Sequence, residues 1–246
     1  MLARMDTPSL ALVVAVFLLA GGVKGLIGLG LPTISVGLLA LFMPPAEAAA
    51  LLVLPSLLTN IAQAGGPALR PLLHRLWPML AGLVPGALLG GYVIGGAAAL
   101  PALGVALLAY AAWGLVAPPL TIAPALERRS AVPVGLAGGV VTGATGVFVM
   151  PVVPWLAALG LPRDAMVQAL GLGFLVATLA LALSLAWQGA LDAGRAGGSV
   201  LAVAPALAGQ WIGMRLRMRL PPSAFRRGFF LALLALGAAL AWRGVA

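Results

Sequence analysis

The sequence predicts an all-α, polytopic membrane protein made of two inverted repeats. Each repeat has a glycine-broken segment, re-entrant or discontinuous, followed by three transmembrane helices. Three observations predict this. Of 246 residues, 63% are hydrophobic and only 8% charged, where an average soluble domain carries about 25% charged residues. Apolar runs of the ~18 residues or more that a bilayer requires recur along the whole chain, and the mean hydropathy is +1.15. A glycine-rich stretch near the start, Ala20-Gly-Gly-Val-Lys-Gly-Leu-Ile-Gly-Leu-Gly-Leu-Pro32, has a counterpart in Gly138-Gly-Val-Val-Thr-Gly-Ala-Thr-Gly-Val-Phe-Val-Met-Pro151. Setting Gly143 against Gly25 gives an offset of 118.

The elements follow in order. The run from Ser9 to Met43 is too long for one span of about 20 residues. Gly21, Gly22, Gly25, Gly28, Gly30 and Pro32 lie in its middle and are expected to break it. Arg4 and the apolar Leu10–Ala20 resemble a signal peptide, but further spans follow, so this is read as a retained first helix. Helices are expected over 46–64, 76–94 and 98–116, with Arg70, His74 and Arg75 in a loop and a tight turn at Gly95-Gly96. These complete a first repeat, 9–116. A linker, 117–130, holds Pro118, Pro119, Pro124, Glu127, Arg128 and Arg129. The second repeat, 131–243, opens with another long broken run, closed by Pro162-Arg163-Asp164. Helices follow over 165–187, 197–216 and 225–242, and residues 1–246 form a single transmembrane domain.

Arginine placement selects the topology. If every long run crossed once, seven arginines would face one side and six the other. If each broken run enters and leaves on one side, the halves are inverted. With the N-terminus outside, the inner face then holds ten: Arg70, Arg75, Arg128, Arg129, Arg163, Arg215, Arg217, Arg219, Arg226 and Arg227. Only Arg4, Arg195 and Arg243 stay outside, as the positive-inside rule requires. The count does not distinguish a re-entrant hairpin from two short helices.

Composition narrows the function. The net charge is +9, but the arginines sit in short loops, where topology and anionic headgroups account for them, and nucleic acid is not an expected partner. No cysteine is present, which excludes disulfide and thiol chemistry. His74 alone cannot build a metal site, and no paired carboxylates or Ser–His–Asp set suggests an enzyme. No cofactor and no metal are expected. Asp6, Glu47, Glu127, Asp164 and Asp192 fall in or beside loops, so no mid-membrane carboxylate is read as a proton or sodium relay. Glu47 is read as complementing a helix N-terminus.

That leaves Lys24, the only lysine, as the candidate centre. A cation at membrane depth costs on the order of 3 kcal/mol and normally has a role. Beside broken-helix N–H groups it would attract an anion; at the end of a straight helix it would snorkel to the interface instead. The matching residues of the second half are Thr142 and Thr145, whose hydroxyls either donate to an oxyanion or bond back to their own helix. The candidate substrate-binding set is Lys24, Gly25, Gly28, Asn60, Thr142, Gly143, Thr145 and Gly146. Close helix packing competes as the reason for glycines at Gly21, Gly25 and Gly139, Gly143. Thr59, Gln63, Gln168 and Thr178 are further polar residues at depth, with Asn60 opposite Thr178 in the repeat. Trp77, Trp113, Trp187 and Trp242 are expected at the interface, and Trp155 in the cavity or core.

At the two glycine-rich stretches the chain resembles the TauE/SafE family of sulfite exporter-like membrane permeases. Leu161-Pro-Arg-Asp-Ala165 and Gly86-Ala-Leu-Leu-Gly-Gly91 also fit, while Leu31 and Phe148 interrupt the fuller glycine runs of that pattern. The resemblance implies transport of sulfite, sulfoacetate or another organosulfonate by a multi-pass protein of the bacterial inner membrane. The expectation is a secondary transporter that binds a small anion near the midplane and rocks its halves. An anion channel or facilitator, or a membrane assembly subunit, is the alternative. The expected partners are the small anion and the lipid bilayer, with a homodimer left open.

Overall fold

The computed structural model describes residues 7–94, 96–116, 120–191, 193–217 and 222–244. Among these, every regular element is a helix: α1 (Thr7–Ile27), α2 (Leu31–Leu39), α3 (Pro45–Ala64), α4 (Leu69–Ile94), α5 (Ala99–Val116), α6 (Pro124–Thr145), α7 (Val152–Ala158), α8 (Arg163–Trp187), α9 (Ala193–Arg217) and α10 (Pro222–Arg243). Arg4, Asp6, Gly95, residues 117–119, Asp192 and Arg219 lie outside the described residues, as do the side chains of Arg195 and Arg226.

The two broken runs share one form, a full-length helix followed by a short one. α1 has 21 residues, about 31 Å at 1.5 Å per residue. It stays helical through Gly21, Gly22, Lys24 and Gly25, so the expected break contracts to Gly28–Gly30. Within this run only these two positions need glycine for their dihedrals, with φ of 81° at Gly28 and 112° at Gly30. The nine-residue α2 follows, about 13 Å long. In the second half α6 runs through Thr142, Gly143 and Thr145, Gly146 caps it at φ 72°, and the seven-residue α7 starts after Pro151.

Two helices begin seven residues earlier than expected, and α8, α9 and α10 begin two to four residues earlier. α4 starts at Leu69, so Arg70, His74 and Arg75 ride on its first two turns and the loop shrinks to 65–68. Pro71 does not stop it, because a first-turn N–H has no helical acceptor to lose. α6 starts at Pro124 and takes in residues 124–130 of the expected linker. Proline at the first position and Glu127 in the first turn suit a helix N-terminus.

Helix pairing shows how the halves are related. α4 and α6 pack backbone to backbone. A Cβ on Gly82, Gly86 or Gly90 would meet the carbonyl oxygen of Val132, Leu136 or Val140, and one on Gly135, Gly139 or Gly143 that of Met79, Leu83 or Ala87. α1 and α9 repeat this: Gly21 and Gly25 lie on the carbonyls of Ala206 and Gln210, and Gly209 and Gly213 on those of Leu18 and Gly22. In both pairs the partner numbers rise together, so the helices are parallel. α3 and α8, equivalent helices, run antiparallel: Gln63 meets Val167 while Ser56 meets Thr178. α5 and α10 also run antiparallel, with Gly104 against Ala241 and Tyr110 against Phe230. Equivalent helices meeting head to tail, with α1 and α4 exchanged onto α9 and α6, is what a two-fold axis in the membrane plane produces. The halves are inverted.

α1, α3, α4, α5 and α8 are each long and apolar enough to cross a membrane. Their outer faces are apolar: Leu19, Leu89 and Val105 are all more than half exposed. Trp77, Trp187 and Trp242 are exposed on the outer surface. Trp113 is less exposed than the other three. It packs against the core and stacks on Tyr110, with ring centroids 6.1 Å apart, because α10 covers that face of α5. Trp155 belongs to the core and donates its indole N–H to Ser130 Oγ at 2.9 Å.

Candidate anion site at the first break

Lys24 sits in the last turn of α1, just before the break and not within it. Its side chain is 3% exposed, so it does not snorkel. It turns inward to α3, donating to Thr59 Oγ1 at 2.9 Å and to Asn60 Oδ1. Nζ also lies 5.9 Å from the centre of the Phe174 ring of α8, within cation–π range. Phe174 is held by an edge-to-face contact with Phe148 of the second break, at 5.0 Å. The ion pair between Arg75 and Glu127 lies elsewhere. The ammonium therefore has two neutral acceptors for three N–H groups and no carboxylate.

A directed chain of hydrogen bonds backs the lysine. Asn60 Nδ2 donates to Ser56 Oγ at 3.0 Å and more weakly to Thr178 Oγ1 at 3.5 Å. Thr178 gives its proton to the Phe174 carbonyl at 2.7 Å. Ser56 must then be the donor in its 2.9 Å contact with Thr178. Thr59 likewise gives its proton to the Pro55 carbonyl at 2.8 Å. All these protons point away from Lys24, so every oxygen facing it is an acceptor. The network orients the Asn60 amide and fixes the ammonium without neutralising it.

The break itself is tied to both halves. The Gly28 N–H caps α1 on the Lys24 carbonyl at 2.7 Å, and Gly146 caps α6 on Thr142 in the same way, also at 2.7 Å. Lys24 and Thr142 thus hold equivalent positions. Gln63 of α3 donates from Nε2 to the Gly28 carbonyl at 2.8 Å and to the Val167 carbonyl of α8 at 3.0 Å. Beside it, Gln168 of α8 accepts from the Ala68 N–H at 3.1 Å.

Of the residues singled out from sequence, the structure joins Lys24 directly to Asn60, and Asn60 to Thr178. Thr142 and Thr145 do not join them. Their hydroxyls donate to the Gly138 and Val141 carbonyls at 2.7 and 2.6 Å, and Thr145 also accepts the Val147 N–H. Gly25 and Gly143 lie in the α1–α9 and α4–α6 contacts, and Gly28 and Gly146 are helix caps. Ser56 and Phe174 were not among the candidates. They occupy equivalent positions under the 118-residue offset, one turn before Asn60 and Thr178, and that periodicity was the available signal.

No curated protein and no solved structure matches the chain. The family model described as sulfite exporter TauE/SafE matches residues 13–240. Members of that family are membrane transporters, not enzymes. Matched over nearly its whole length, and with an all-helical, apolar-surfaced build to suit, the chain belongs to the sulfite exporter TauE/SafE family of membrane transporters.

Proposed function

We propose that this protein exports a small sulfur oxyanion, namely sulfite, sulfoacetate or another organosulfonate, across the bacterial inner membrane. The observation that carries the reading is Lys24, buried beside a helix break with no counter-charge among the described residues. A buried cation at this depth gains most from an anion that arrives and leaves. Asn60 and Thr59 position the ammonium, and its third N–H is left for the substrate. The test is flux in proteoliposomes over a panel of sulfur oxyanions and carboxylates. Wild type should give saturable sulfite or sulfonate flux, Lys24→Ala at least about tenfold less, as loss of a charged hydrogen bond implies, and Lys24→Arg an intermediate rate. Undiminished flux in the alanine variant would remove Lys24 from the mechanism.

The moving bodies differ from the two sequence halves. Rocking 9–116 against 131–243 as rigid units would tear both glycine contacts, which the backbones make at their closest approach. The α1–α9 and α4–α6 pairs serve better as units, each with one helix from either half.

A further inference from the structure

Thr33 is fully buried, and its hydroxyl has no hydrogen-bond partner among the described residues. The reason lies in the break. Ser35, Thr59, Thr142, Thr145 and Thr178 each return their proton to the carbonyl four residues back. For Thr33 that residue is Leu29, which lies outside any helix. Thr33 also occupies the first turn of α2, where Gly30 is the N-cap and offers no side-chain cap. First-turn N–H groups have no intrahelical acceptor, and side chains of a helix tilt towards its N-terminus. Pro32 has no N–H and the Ile34 N–H is bonded to the Gly30 carbonyl, which leaves the Leu31 and Thr33 N–H groups of this first turn without an intrahelical acceptor.

We propose that the Thr33 hydroxyl and the Leu31 and Thr33 N–H groups form an oxyanion-binding subsite for the oxygens of a sulfite or sulfonate group. The assignment of ligand class rests on the transport reading above. Three neutral donors at a helix N-terminus suit an anion with several equivalent oxygens better than a halide. The second half has no equivalent. Pro151 stands where Thr33 stands, at the offset of 118, and α7 has only seven residues. The proposed subsite therefore belongs to the same half as Lys24 and has no counterpart at the equivalent position of the second half.

The test is binding, read separately from flux. The full chain in detergent is titrated with sulfite, methanesulfonate, sulfate and chloride while its thermal unfolding is followed. Sulfite and methanesulfonate should raise the unfolding temperature of wild type, and chloride should not. Thr33→Val, close to isosteric, should weaken the apparent Kd about tenfold, while Thr33→Ser keeps it. Thr33→Ala serves as a second variant with the same expected loss. Wild-type affinity in both the valine and alanine variants overturns the subsite, and so does the lack of any oxyanion effect on wild type. If Lys24→Ala abolishes sulfite flux while Thr33→Val binds normally, the subsite falls and the transport reading stands. If Thr33-dependent binding occurs in a chain that moves no sulfur oxyanion, the transport reading falls instead.

Discussion

A cation buried among neutral oxygens is held by geometry rather than by neutralisation. Lys24 has two acceptors, and each is fixed by further bonds within α3 and α8. Removing one should be costly, because the charge stays behind. Asn60→Leu is expected to lower stability by about 2 kcal/mol, and adding Lys24→Met should recover much of that loss. Thermal unfolding of the four chains in a double-mutant cycle checks this; additive effects would show that the pair is not coupled. Lys24 and Asn60 were legible in the sequence because a charge and an amide inside apolar runs have few neutral explanations. Thr142 and Thr145 were not, since a hydroxyl that satisfies itself on its own helix reads the same as one aimed at a ligand. Nor was Thr33, whose hydroxyl is orphaned only by where the helix breaks.

Among the described residues, helices carry most of the glycines of this protein. Both glycine-rich stretches were read as breaks, yet most of their glycines lie inside α1 and α6. Spacing by four, as in Gly21 and Gly25 or Gly135, Gly139 and Gly143, puts them on one helix face, and that face meets another backbone. Only a positive φ marks the true break, and sequence does not reveal which glycine adopts it. The distinction can be tested. Gly139→Ala puts a methyl against the Leu83 carbonyl and should destabilise by about 1–3 kcal/mol. Gly228→Ala in α10 meets nothing within 4 Å and should instead stabilise by about 0.5–1 kcal/mol. Thermal unfolding of both variants in one detergent makes the comparison. Equal shifts would mean that α4 and α6 are less tightly apposed than described.

At the scale of the whole molecule, the count of ten arginines against three foresaw the inverted arrangement that the helix directions show. Charge and hydropathy report how often a chain crosses and which ends share a side. They say nothing about which helix meets which, so the exchange of α1 onto α9 and of α4 onto α6 was hidden. The topology predicts sidedness that can be read directly, since the chain has no cysteine of its own. The Phe42 end of α2 lies by Arg243, whose guanidinium donates to the Leu41 carbonyl at 2.9 Å. Arg163 opens α8 at the opposite end, near the 65–68 loop. Cysteines introduced at Phe42 and Arg163 should therefore react with an impermeant reagent from opposite faces of the membrane, Phe42 from outside. Labelling of both from one face would refute the inverted topology.

The exchanged pairing also sets an order of assembly. α4 and α6 are separated by one helix, so their glycine faces can meet soon after the ribosome has released α6. α1 is made first, but its partner α9 follows seven other helices. Until α9 arrives, the Gly21–Gly25 face has no mate in the nascent chain, and Phe174 of α8 has yet to cover Lys24. The lysine thus enters the bilayer early and is enclosed late.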